Sequence, residues 1–191
     1  MSAEAISRVT LALKARLETA LAASGVGGTV FVGPLDDPDA TGAALVLFLY
    51  RIMPNATLRN RERTIPAPPP SMGVLTYHDA LPLDLYFLVT VGTRVGDPGY
   101  EERFLRALGY AMRELQGFPD LLGPNVAHEP IHLSLEPLST DEISRVWTLF
   151  PTANYRTSIA YLATPVWIDP ALPPRQAAPV ERDTLLAGQR S

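Results

Sequence analysis

The feature that most constrains the fold is an uncharged run of β-prone residues from Ala43 to Tyr50. A run of this length without polar alternation is typical of a strand that is buried on both faces. A basic segment follows it directly. This segment contains four arginines, Arg51, Arg59, Arg61 and Arg63, and their charge is opposed by Glu62. The pattern predicts a core strand that positions a basic surface loop.

Two long amphipathic helices are predicted from apolar spacing. From residue 3 to residue 23, apolar residues recur every three or four positions, and Gly25 is placed to end the helix. The second helix is predicted to start at Asp97-Pro98 and to stop at Gly117. A short third helix follows the sequence Ser139-Thr140-Asp141-Glu142, which is a capping box. Trp147 on this helix is predicted to anchor the core.

Further strands are predicted where apolar residues alternate with other residues. The strand segments are residues 29–32, 81–91, 131–135, 155–162 and 165–168. Residues 54–78 are predicted to form a loop, which is long for a compact domain and therefore of functional interest. Strands packed under two longer helices and one short helix predict an α+β fold with a mixed, mostly antiparallel sheet. The expected organisation is one domain over residues 1–169 and a proline-rich tail over residues 170–191.

Composition excludes several classes of protein. The chain has 191 residues and a net charge of −4, which argues against general nucleic-acid binding. It contains no cysteine, so neither a disulfide nor a thiolate metal site can form, and this suits a reducing cytosol. Neither a secretion signal nor an apolar run of membrane-spanning length is present, so no direct membrane insertion is expected.

One segment matches a zinc-protease pattern and is rejected. His128-Glu129-Pro130-Ile131-His132 fits H-E-x-x-H, which requires both histidines on one face of a helix. Pro130 would interrupt such a helix. In a strand, the two histidines would lie roughly 13 Å apart, too far to share one zinc ion. The segment is expected to be an exposed loop that leads into a strand.

The sequence evidence for other catalytic or metal-binding groups is also weak. The aspartates 36, 37 and 39 lack the spacing and the closing glutamate of an EF-hand, so a solvated acidic turn is expected. His78 beside Asp79 has no nucleophile near it in the sequence. Phosphate-loop, nucleophile-elbow and dinucleotide glycine patterns are absent. No catalytic residue, cofactor or metal is therefore predicted.

The basic segment after the core strand allows two interpretations. It is either a solvated loop with scattered charges or a surface that binds protein, because arginine pairs well with carboxylates and carbonyls at interfaces. The second interpretation is favoured. The residues predicted to form the interface are Arg51, Asn55, Arg59, Asn60, Arg61 and Arg63.

The same segment resembles a known family. Residues 47–51, 54–56 and 58–60 are similar to the signature of tail-terminator (cap) proteins of extracellular contractile injection systems, which are phage-tail-like particles with a tube inside a contractile sheath. Three later segments fit in the same order, at residues 81–90, 142–147 and 155–161. The resemblance covers roughly residues 3 to 169.

The resemblance implies a structural role without enzymatic activity. Members of this family are expected to form a six-fold ring of identical subunits that ends the inner tube and joins it to the last sheath layer. The implied partners are further copies of the chain, the tube protein and the sheath protein, in a particle assembled in the cytoplasm. Two alternatives remain open. The first is a connector or completion ring of the same particle, and the second is a small metal-dependent hydrolase. The tail over residues 170–191 is hypothesised to order on binding sheath.

Overall fold

The computed structural model describes residues 3–67, 73–93, 98–123, 126, 129–171 and 173–177. The helices are α1 (Ala5–Ser24), α2 (Tyr100–Gly117) and α3 (Thr140–Trp147). The strands are β1 (Val30–Val32), β2 (Leu45–Pro54), β3 (Arg63–Pro66), β4 (Val74–Tyr77), β5 (Leu81–Val91), β6 (Asp120–Leu121), β7 (Ile131–Glu136), β8 (Ser158–Ile168) and β9 (Arg175–Ala177). A short 3-10 helix spans Pro38–Ala40.

The main sheet has six strands in the order β1-β2-β5-β8-β7-β6. Strand β1 pairs with β2 in parallel, and the other neighbouring strands pair in antiparallel fashion. The predicted α+β fold, with a mixed and mostly antiparallel sheet, two longer helices and one short helix, is confirmed. Residues 45–50 of the uncharged run lie in β2, an inner strand, whereas Ala43 and Ala44 precede it.

The two long helices cover one face of the main sheet. The stripe of α1 that the spacing predicts is fully buried at Val9, Leu13 and Leu17. It packs with α2 against alternate residues of the inner strands, such as Phe87 of β5. Helix α1 ends at Gly25, which adopts a left-handed φ of 69° that favours glycine.

The short helix covers part of the opposite face. Ser139 and Glu142 form the predicted capping box, in which each side chain bonds to the backbone N–H of the other residue. Trp147 is 6% exposed and packs in a second apolar cluster with Val46 and Leu88, which confirms its predicted role in the core. Alternate residues of β2 and β5 therefore pack toward the long helices on one face of the sheet and toward the short helix on the other. Because both faces are covered there, β2 contains no charge before Arg51.

The prediction of a loop over residues 54–78 was wrong, because this segment contains strands β3 and β4. These two strands form an antiparallel hairpin, and β9 adds a third strand along β4. The small sheet was missed because β3 and β4 have only four residues each, which is too short for an apolar pattern to identify a strand. Strand β9 lies within residues 170–191, so part of the proline-rich segment is structured.

Two element boundaries differ from those predicted. Helix α2 begins at Tyr100 after Gly99, whose φ is 80°, rather than at Pro98, and Asp97 lies outside the described residues. The two last predicted strands are a single strand, β8, which continues through Pro165. Within the described ranges, none of the helices has both the length and the apolar character needed to cross a membrane.

Candidate interface

The basic segment lies at one end of the main sheet, and Asn55 fixes the loop that contains it. The Asn55 backbone N–H donates to the Pro82 carbonyl at 2.9 Å, and its side-chain N–H group donates to Asp84 at 2.9 Å. Its side-chain oxygen accepts from the backbone N–H groups of Thr57 and Leu58 at 3.1 and 3.0 Å. Asn55 therefore positions the loop, and its amide is already engaged within the fold.

Arg51 lies on the sheet itself rather than in the loop. The register of β2 against β5 shifts between Leu49 and Arg51, which marks a bulge. Because of the bulge, two consecutive side chains contact Tyr86 of β5. The Tyr50 ring lies 6.2 Å from the Tyr86 ring, and the Arg51 guanidinium lies 5.3 Å from its centre. Burial raises the pKa of Tyr50 to about 12.

Arg59, Asn60 and Arg61 are exposed. The backbone beneath them is held by hydrogen bonds from the Arg59 N–H to the Asn55 carbonyl at 3.0 Å and from the Arg61 N–H to the Leu58 carbonyl at 2.9 Å. Across the part of the chain that the structure describes, neither guanidinium forms an ion pair. A fixed backbone that carries two accessible cations is suited to contact with an acidic surface.

Arg63 differs from the other predicted interface residues because it lies inside the fold. Its side chain is 3% exposed and forms ion pairs with Glu129 and Asp169. The rings of Tyr77 and Trp167 lie 5.4 and 5.9 Å from its guanidinium. Burial lowers the pKa of Arg63. These contacts link the small sheet to the ends of β7 and β8, so Arg63 stabilises the fold and is not exposed to a partner.

The described residues of the rejected zinc motif do not form a metal site of the helical type. His132 lies on β7, not on a helix, and its Nδ1 is 2.8 Å from an Asp120 oxygen. Glu129 is paired with Arg63, and His128 lies outside the described residues. Among the residues that the structure describes, no group of three potential ligands could hold a metal ion. The arrangement of His132 and Glu129 does not match helical H-E-x-x-H chemistry.

The other titratable groups that the sequence singled out have ordinary roles. Asp37 accepts a hydrogen bond from the Asp39 backbone N–H at 2.9 Å and so caps the 3-10 helix. His78 is exposed and its Nδ1 lies 2.6 Å from an oxygen of Glu62. The first contact fixes the 3-10 helix, and the second joins the adjacent ends of β3 and β4.

An open cleft of about 520 Å³, lying near the acidic turn at the beginning of β2, was not predicted from the sequence. Arg156 lines it, donates to the Leu35 carbonyl at 2.7 Å and lies 5.4 Å from the Trp147 ring centre. Burial lowers the pKa of Arg156. Tyr155 is 63% exposed, although its ring lies 5.4 Å from that of Trp147.

The sequence matches the family model for the Pvc16 N-terminal domain over residues 8–182, and the chain therefore belongs to this family. Its fold is similar to that of the sheath/tube terminator of PVC, an extracellular contractile injection system, in the extended state. The TM-score is 0.58 at 17% identity, over 97% of this chain and 64% of the terminator. The resemblance to tail terminators that the sequence suggested is confirmed.

A second solved structure has a similar fold. The tube-terminating cap of the anti-feeding prophage matches with a TM-score of 0.54 at 15% identity, over 90% of this chain and 58% of the cap. This chain thus spans less than two thirds of the length of either structure. A comparison with curated protein sequences finds no match.

Proposed function

We propose that this protein is a structural cap of a contractile injection system, without enzymatic activity. The observation that carries the proposal is the match to the Pvc16 N-terminal domain family over residues 8–182. The likeness in fold to two proteins described as a tube terminator and a tube-terminating cap supports it. In this role, the protein forms a ring of six copies and binds the inner-tube protein and the sheath protein.

The mechanism of such a cap is physical. A tube grows because each ring presents a face that the next ring can bind. A terminator binds that face on one side and presents a different surface on the other, so that further addition stops. A closed ring also requires two different patches on each subunit, one for each neighbour.

The proposal is tested by adding the purified protein to its cognate tube protein during polymerisation. Tube lengths are measured by electron microscopy against a matched reaction without the protein. Shorter tubes whose growth stops after addition support termination. An unchanged length distribution at saturating protein would contradict it.

The exposed part of the basic loop is proposed to contribute to an interface of this cap. Arg59→Glu combined with Arg61→Glu reverses two accessible charges, so we expect loss of capping with little change in stability, about 0.5 kcal/mol or less. Capping is read from tube lengths, and folding from urea denaturation. Arg63 is left intact because it is buried. Arg106→Glu with Arg113→Glu on α2 is the control with the same charge change, and full capping by the loop variant would refute this role.

The C-terminal segment is proposed to order on binding sheath. Residues 178–191 lie outside the described residues, whereas residues 175–177 form β9. A truncation should therefore remove residues 178–191 and leave β9 in place. We expect the truncated protein to cap tubes normally but to be retained less on sheathed particles. Equal retention of truncated and full-length protein would argue against a role for this segment.

A further inference from the structure

Exposed charges of opposite sign lie at opposite ends of strand β2. Arg59 and Arg61 follow the last residue of β2, and Arg51 lies near that end. The acidic turn lies near the first residue of β2, because Leu35 belongs to the same buried cluster as Ala43 and Val46. Ten residues of β2 span roughly 30 Å, so the two groups are well separated.

The acidic end is larger than the turn alone. Tyr100, the first residue of α2, lines the same cleft as Asp36 and Asp37. The two following residues of α2 are glutamates and are also exposed. We define the acidic end as Asp36, Asp37, Asp39, Glu101 and Glu102, and the basic end as Arg51, Arg59 and Arg61.

Most of the charges in these two groups are unpaired within the described parts of the subunit. Over the described ranges, no ion pair involves Arg59, Arg61 or any of the five carboxylates of the acidic end. The basic end also includes the surface where Arg51 packs on Tyr86. Arginine and tyrosine are enriched at protein interfaces, and tyrosine contributes contact area at a low entropic cost.

We propose that the basic end of one subunit contacts the acidic end of the next, a head-to-tail contact between copies of this chain. This inference rests on the proposed ring. Two unlike patches on one subunit are what a closed ring requires, and their charges are complementary. Pairing of like ends is opposed by repulsion, so the charges select the head-to-tail arrangement and its direction.

The test uses two charge-reversed variants, separately and mixed. The first variant carries Arg59→Glu and Arg61→Glu, which changes the net charge of the basic end from +3 to −1. The second carries Asp36→Lys, Asp39→Lys and Glu102→Lys, which changes the net charge of the acidic end from −5 to +1. Asp37 is retained because it caps the 3-10 helix. Ring assembly is measured by native mass spectrometry and on tube ends, at low ionic strength where such charges are weakly screened. Each variant alone should assemble roughly tenfold less well, equivalent to about 1.4 kcal/mol.

An equimolar mixture of the two variants should assemble again. In an alternating ring, every contact then joins groups of opposite charge, and an even number of subunits can close. Mixed assemblies that contain both variants support the proposal. Normal rings from either variant alone, or no recovery on mixing while both variants remain folded, would overturn it.

A second measurement covers the case in which a reversed variant fails to fold. The chain contains no cysteine, so Arg61→Cys with Asp36→Cys introduces the two thiols needed for a bis-maleimide cross-linker. The thiols of one subunit are roughly 30 Å apart, so a short cross-linker joins them only between subunits. A ladder of multimers on tube ends supports the contact. Capped tubes without a ladder overturn it and leave the cap function intact, whereas failure to cap tubes at all rejects both.

Discussion

Arg63→Met should lower the free energy of unfolding by about 3–5 kcal/mol, which is the usual cost of removing one partner from a buried ion pair. The Arg63 side chain is 3% exposed and pairs with both Glu129 and Asp169. Methionine would fill much of the space but would leave both carboxylates without their cation. Urea denaturation at pH 7 should measure this loss of stability. The amide hydrogens of β3 and β4 should be the first to lose their protection from hydrogen exchange.

The control for this prediction lies two residues away. Arg61 is exposed and forms no ion pair within the described parts of the chain, so Arg61→Met should change stability by less than about 0.5 kcal/mol. Adding Glu129→Gln and Asp169→Asn to Arg63→Met neutralises the two carboxylates that paired with the lost cation and should restore part of the loss. Equal stability of the Arg61 and Arg63 variants would show that the buried ion pairs contribute little.

Gly92→Ala should lower the free energy of unfolding at least as much as Arg63→Met does, by about 4 kcal/mol or more. A Cβ atom at Gly92 would lie 1.7 Å from the Ala43 carbonyl oxygen, and the Gly92 N–H also donates to the Ala44 carbonyl at 2.9 Å. The clash is with backbone, so no change of side-chain rotamer can relieve it. Alanine would force β5 away from β2 where the two core strands meet.

Gly109→Ala on α2 is the matched control for this substitution. A Cβ atom there meets nothing within 4 Å, and alanine favours the helix. This variant should be more stable by about 0.5–1 kcal/mol. Calorimetric melting of both variants tests the pair. A Gly92→Ala protein that melts within two degrees or so of the parent would contradict the close approach seen here.

Periodicity was sufficient to predict the main elements of the fold. The α1 stripe, the alternation along β5 and the capping box of α3 each depend on residues that are close together in the chain. Such patterns can be recognised from the sequence alone. The small sheet is different, because β3, β4 and β9 have no more than four residues each and β9 pairs with β4 from about 100 residues further along the chain. Their apolar pattern is too short to distinguish a strand from a loop.

The candidate interface was predictable only in part. The sequence grouped four arginines by proximity, but Glu129 and Asp169, which pair with Arg63, lie 66 and 106 residues away in the chain. Arginine is mostly exposed in proteins unless it is paired, so burial of Arg63 could not be foreseen without those partners. The separation of charge along β2 also depends on topology, since α2 begins beside the acidic turn.

The central claim is that this protein ends a tube, and the most direct measurement is electron cryo-microscopy of tubes assembled with the purified protein. We expect ring-shaped density at one end of each tube, into which this fold can be placed with its basic and acidic ends meeting between neighbouring subunits. Bare tube ends, or density distributed along the tubes, would contradict it.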